Sequence, residues 1–337
     1  MKNDYVPLIS LAGYESMAME AKAAISRKID IALKSSGFFI CVDHGVPEQV
    51  TTAVANIANL FFDLPLNEKM ENESRVSGSP RGYIPYGLET LSVTDGRMAP
   101  PDVKEGYGIG PNWVDNLSPE EKLNPLTPKT YTENLWPVGN LEFKEKILRY
   151  YGEMESLTNK LMELFAISMG LDPSFLVEKF TRHNSTLRLQ HYPPQLVAPE
   201  PGQLRAGEHT DYGALTILHA EDKQGGLQIR KPNGQWEDIT PPPGAFIINI
   251  GDLMMNWSND KWLSNYHRVV NPPASAGASA RRLSIAYFCN PRDDLLIECI
   301  PTCCSESSPA KYPPMKAGQH RLKKIMLSQK NNRPHLA

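Results

Sequence analysis

A chain of 337 residues with a formal net charge of -3 is long enough for a sizeable core, yet it has no basic excess of the kind that phosphate backbones attract; nucleic acid is a poor partner and a small molecule a better one. Five cysteines, Cys41, Cys289, Cys299, Cys303 and Cys304, an odd number without regular spacing, fit free thiols in a reducing compartment. The opening "MKNDYVPLISLAGYE" lacks a basic segment followed by an apolar one, and no apolar run approaches bilayer length, so a cytoplasmic protein without membrane contact is expected.

In chain order, "MAMEAKAAISRKIDIALKSS" sets Ala21, Ile25, Ile29 and Leu33 at helical spacing and stops at Gly37, and "GFFICVDHGV" then reads as a buried strand. A second helix is predicted for "PEQVTTAVANIANLFFDLP", with Pro47 near its start and Pro65 beyond its end. From about residue 73 to 140, turn formers and aromatics dominate, as in "SGSPRGYIPYG", and such a stretch predicts a packed lid. The longest helix is "NLEFKEKILRYYGEMESLTNKLMELFAISMG". Its stripe of Ile147, Tyr150, Met154, Leu157, Leu161 and Leu164 marks a scaffold element that ends at Gly170. From residue 186 the period becomes extended: "TLRLQHY", "ALTILHA", "GLQIRK", "GAFIINIGD", "YHRVVN" and "RRLSIAYFCN" are short, β-branched or aromatic, and separated by turns. Helices first and many short strands second predict an α+β chain around a barrel or double-sheet jelly roll. The expected division is residues 1–140, with lid loops, and 141–337, the long helix and β core, packed as one catalytic unit.

Within "RAGEHTDYGALT", His209 and Asp211 stand two apart at a strand entrance, so both side chains face one way and could grip one cation. A third ligand is available downstream in "SNYHRVVNPP" as His267. Two imidazoles and a carboxylate form the facial triad of non-haem Fe(II), which leaves one face of the octahedron open. An isolated His-x-Asp is more often a surface hydrogen-bonded pair. The balance shifts with "RRLSIAYFCNP", where Arg282 and Ser284 also share a strand face and offer a guanidinium fork beside a hydroxyl, a match for a buried carboxylate. Two other readings stay open: a zinc hydrolase, which would not need the Arg-x-Ser pair, and a non-catalytic barrel.

His-x-Asp, a distant His and then Arg-x-Ser resembles the isopenicillin N synthase-like branch of the 2-oxoglutarate- and Fe(II)-dependent dioxygenases. The similarity runs through "GFFICVDHGVP", "RGYIPYG", "LRLQHYPP", "GEHTDYGALTIL", "NIGDLMMNWSND", "HRVVNPP" and "RLSIAYFCNP", and the core phrases are most similar to thymine 7-hydroxylase-type members. The resemblance implies a double-stranded β-helix core flanked by helices. It also implies Fe(II) held by His209, Asp211 and His267, with 2-oxoglutarate and O2 as cosubstrates and ascorbate as a candidate reductant. Arg282, Ser284 and Tyr192 would hold the distal carboxylate of 2-oxoglutarate. The implied reaction is hydroxylation, or a related oxidation, of an unactivated C–H bond in a small organic molecule such as a secondary metabolite or pyrimidine base. Isopenicillin N synthase itself, which uses no 2-oxoglutarate, remains the alternative within the branch. Around the open face, a regular strand aims Arg188 inward with Gln190 and Tyr192, and Phe288 with Ser284. Tyr212 and the lid residues Tyr83 and Tyr86 complete the expected substrate pocket. His191 should face away, His219 reads as a satisfied structural histidine, and His183, His320 and His335 lie in loop or terminal contexts.

Overall fold

The computed structural model describes residues 5–74, 79–123, 131–195, 198–221 and 226–329; His335 lies outside them. Twelve strands build two facing sheets: β1 Leu8–Ser10, β2 Phe38–Val42, β3 Gly82–Ile84, β4 Glu105–Ile109, β5 Thr186–Tyr192, β6 Ala206–His209, β7 Leu215–Ala220, β8 Leu227–Arg230, β9 Trp236–Asp238, β10 Phe246–Ile250, β11 His267–Val269 and β12 Arg282–Cys289. The larger sheet has the order β1-β2-β10-β7-β12-β5-β4-β3 and the smaller β6-β11-β8-β9. This is a jelly-roll core with helices on one side, the expected α+β architecture.

The helices form where apolar spacing and stop signals coincide. Met19–Ser35 ends against Gly37, whose φ of 77° a side chain rarely adopts; a Cβ there would come within 2.1 Å of the Leu263 carbonyl oxygen. Glu48–Phe62 begins directly after Pro47. The long helix Leu141–Ser168 has the Asn140 side chain accepting from the Phe143 amide at its start and buries its whole predicted stripe, packing with both earlier helices behind the larger sheet. That layer holds one apolar core; a second, with Phe38, Ile40, Leu227, Ile229 and Ile247, fills part of the space between the sheets. No helix among the described residues is long and apolar enough to cross a membrane.

The stretch 73–140 is less of a lid than its composition suggests. It contributes β3 and β4 to the edge of the larger sheet, where β4 pairs with β5, and among its described residues Pro80, just before β3, and the connection between the two strands reach the space between the sheets. Residues 75–78 and 124–130 of this stretch lie outside the described residues.

Candidate active site

Pairing brings the ligand candidates together. β11 runs antiparallel to β6 with His267 directly opposite His209, so the histidine far away in sequence is the cross-strand neighbour of the first. Asp211 follows β6 in the turn that leads to β7. The imidazole Nε2 atoms of His209 and His267 lie 3.9 and 3.7 Å from Asp211 Oδ1, and one ligand atom from each residue falls within 4.8 Å of the others, all three residues being buried. The Nδ1 atoms are already committed, to the carbonyls of Gly207 at 2.7 Å and Asn265 at 3.1 Å, which turns both Nε2 lone pairs to the shared centre. Asp211 Oδ2 accepts from Thr216 Oγ1 and Asn249 Nδ2, each at 2.6 Å, leaving Oδ1 for an ion. Burial, with His267 alongside, holds the His209 imidazole well below its ordinary pKa and hence neutral, as a metal ligand must be. The donor set fits a hard or borderline divalent ion with a free coordination face.

Behind this cluster the alternation of β5 and β12 lines the cavity. Arg282 pairs with Tyr192, Ser284 with Gln190, Ala286 with Arg188 and Phe288 with Thr186, and all but Arg282 line one cavity of about 1000 Å³, mouth included. Arg282 is 3% exposed, yet its Nε and Nη1 have no hydrogen-bond partner. Burial pulls its pKa down, with Tyr192 and Glu221 opposing that shift. A buried guanidinium with two uncommitted nitrogens is costly unless an anion joins it, so these residues fit the carboxylate of a cosubstrate. The Tyr192 ring is flanked by two guanidiniums, Arg205 and Arg282, each 5.5 Å from its centroid.

The other half of the cavity agrees with the expected pocket at Arg188, Tyr212 and Phe288, which all line it, and corrects it at the two lid tyrosines. Tyr83 sits in β3 opposite Tyr107 and turns away from the cavity. It is 1% exposed, packs on Phe61 and donates to Glu105 at 2.5 Å. Tyr86 lies in the turn after β3 and is 54% exposed. The wall comes instead from Pro80, Glu89, Leu91 and Lys104 of the same stretch, and from Arg321, Ile325 and Ser328 of the C-terminal helix Ala317–Gln329. None of these carried a motif. Only the "LET" and "PDVKE" charges could have hinted at them, and those read equally as solvated loop. His320 takes the terminal of the two contexts expected for it, in this C-terminal helix. His191 faces away as expected, 2.7 Å from Glu105 and stacked on Phe62. His219 packs edge-on to Phe246, but its Nδ1 is buried without a hydrogen-bond partner, so it is not the fully satisfied histidine expected.

A jelly roll with two imidazoles and a carboxylate at one centre, and behind them a buried arginine with two unpartnered nitrogens, defines a non-haem iron oxygenase. The chain belongs to the 2OG-Fe(II) oxygenase superfamily, which it matches over residues 183–291, while residues 6–138 match the family described as non-haem dioxygenase in morphine synthesis N-terminal. It is 30% identical over 314 residues to a 2-oxoglutarate-Fe(II) type oxidoreductase of Emericella nidulans, covering 92% of this chain and 86% of that one. The full-length thymine 7-hydroxylase of Neurospora crassa, solved with alpha-KG and thymine, superposes with a TM-score of 0.81 at 32% identity over 96% of this chain and 98% of the other. JOX2 in complex with 2OG, Fe and JA superposes at 0.75 with 28% identity, over 98% and 89%. The chain is an oxidoreductase that uses Fe(II), 2-oxoglutarate and O2, and this reading prevails over the oxidase and hydrolase alternatives.

Proposed function

We propose that this dioxygenase hydroxylates, or oxidises in a related way, an unactivated C–H bond of a pyrimidine base or a secondary metabolite. The observation that carries the reading is the His209–Asp211–His267 cluster in the wall of the cavity together with the two unpartnered nitrogens of buried Arg282, whose strand neighbours Tyr192 and Ser284 line that same cavity. His209, Asp211 and His267 would hold the iron. Arg282, with the Ser284 hydroxyl on the same strand face and the Tyr192 hydroxyl opposite, would hold the distal carboxylate of 2-oxoglutarate. When bound, iron and 2-oxoglutarate supply O2 activation coupled to decarboxylation, and the C–H oxidation that follows. The protein's own share is placement. Gly207 and Asn265 fix which imidazole nitrogen faces the centre, Thr216 and Asn249 fix the carboxylate, and the cavity wall decides which C–H bond lies nearest.

The free Cys41, Cys289, Cys299, Cys303 and Cys304 support a cytoplasmic location. Pairing of β4 with β5 supports residues 1–140 and 141–337 acting as one catalytic unit. A panel of pyrimidines and natural products, scored by substrate-stimulated succinate release and by mass change of the organic product, tests the proposal. Gain of one oxygen or loss of two hydrogens is expected; succinate release that no compound stimulates would count against it.

A further inference from the structure

Two cations face the substrate half of the cavity, and the protein already neutralises both. Arg188 Nη1 lies 2.7 Å from Glu89 Oε1; Lys104 Nζ lies 3.3 Å from Glu89 Oε2 and 3.7 Å from Asp102 Oδ2. Glu89, Lys104 and Asp102 are all buried. Glu89 thus spans the two cations, one oxygen to each. Burial opposes its ionisation, but Arg188 and Lys104 outweigh burial and hold its pKa near 2, so it stays a carboxylate at neutral pH. Burial raises Asp102 to about 6, which leaves it mostly ionised at pH 7. Two cations therefore meet two carboxylates, and Lys104 has a further weak contact to Gln190 Oε1 at 3.4 Å.

We infer that Glu89 is a specificity-determining residue: it acts as a built-in counter-ion that closes this half of the cavity to carboxylate-bearing molecules and selects uncharged ones presenting a donor and an acceptor on one edge. The inference rests on the dioxygenase reading above and narrows its substrate class. A carboxylate entering beside Arg188 would find the guanidinium engaged and Glu89, a like charge, within the same wall, out of reach of bulk screening. An amide-like edge meets neither obstacle. Its N–H donates to a Glu89 oxygen, each of which has lone pairs to spare, and its carbonyl accepts from one of the remaining guanidinium N–H groups. Discrimination here comes from a repulsive element as much as from an attractive one.

The test uses the full chain loaded with manganese(II) in place of iron, to prevent turnover, and with 2-oxoglutarate. Metal content and 2-oxoglutarate affinity are measured first; failure to bind either would remove the dioxygenase reading and this inference with it. Calorimetry then compares matched pairs of small carboxylic acids and their primary amides, including aromatic and heterocyclic skeletons. The wild-type protein is expected to bind each amide at least about tenfold tighter than its acid, and Glu89→Gln, which leaves Arg188 and Lys104 under-neutralised, is expected to abolish or reverse that ratio. A wild-type protein that binds metal and 2-oxoglutarate but binds acids as tightly as amides, or no amide of the panel, overturns the inference and leaves the parent reading standing. So does an unchanged ratio in Glu89→Gln. Should that variant fail to fold, Arg188→Gln serves instead: with Glu89 less neutralised, acids should bind at least about tenfold more weakly than to the wild type, and unchanged acid binding would count against the inference.

Discussion

Replacing Arg282 separates the cost of its burial from its use. In the absence of cosubstrate its guanidinium is 3% exposed with Nε and Nη1 unpartnered, a state that a well-packed apolar side chain would not have to sustain. Arg282→Met should therefore raise the stability of the cosubstrate-free protein, by about 1–3 kcal/mol, while abolishing measurable 2-oxoglutarate binding. Arg282→Lys keeps the charge but presents a single point donor where the fork offers two parallel bonds. A hydrogen bond to a charged group contributes about 1.5–3 kcal/mol, so losing one of two should weaken 2-oxoglutarate binding by about 2 kcal/mol, roughly 30-fold. The assays are calorimetric titration of manganese(II)-loaded protein with 2-oxoglutarate and urea unfolding without it. A Lys variant that binds 2-oxoglutarate as tightly as the wild type, or a Met variant that is less stable yet still binds, would refute the assignment.

The remaining predictions concern the neighbours of this centre. Asn249→Ala removes one of two hydrogen bonds that orient Asp211 and should weaken iron binding by about 10- to 100-fold, read as metal content after dialysis against a graded chelator. Glu89, with its folded pKa depressed to about 2 against an ordinary value near 4.5, contributes stability that is present above about pH 4.5 and lost as pH falls towards 2. The Glu89→Gln variant should accordingly show a flatter decline over that window in acid-unfolding curves. Arg321 Nη2 bonds both oxygens of buried Asp293 at 2.9 Å, so Arg321→Ala removes the cation paired with a buried carboxylate that keeps the Asn184 Nδ2 bond, and should cost about 3–5 kcal/mol, measured by urea unfolding. Truncation before Ala317 should spare 2-oxoglutarate affinity in calorimetry but weaken substrate binding, because Arg321, Ile325 and Ser328 line the cavity whereas the candidate 2-oxoglutarate ligands Tyr192, Arg282 and Ser284 stand on β5 and β12.

What was legible in the chain was whatever strict periodicity or fixed spacing encodes. Period two in "TLRLQHY" and "SIAYF" placed Arg188, Tyr192, Ser284 and Phe288 on one face, and β5 and β12 keep that alternation without a bulge. His-x-Asp with a later His was enough to nominate the metal cluster, although only strand pairing could show that His267 stands opposite His209. The lid tyrosines failed for the same reason that the strands succeeded. Whether Tyr83 faces the cavity or the helices depends on which residue of a three-residue edge strand meets Tyr107, and a one-residue slip would invert it. Glu89, Lys104 and Arg321 were invisible because their roles come from partners 99, 15 and 28 positions away, Arg188 for Glu89, Glu89 for Lys104 and Asp293 for Arg321, and not from any local pattern.

The metal cluster also straddles a seam. His209 and His267 belong to the smaller sheet, while Asp211 is tied through Thr216 and Asn249 to β7 and β10 of the larger one. The Asp211 carbonyl further accepts from the amide of Asp252, at the start of the helix Asp252–Trp257. An ion seated here is a rivet between two layers that otherwise meet at this end around a hollow. Ion binding is therefore coupled to closure of the roll at this end, and removing the metal should speed limited proteolysis near β6 and β11, an effect that manganese(II) should reverse.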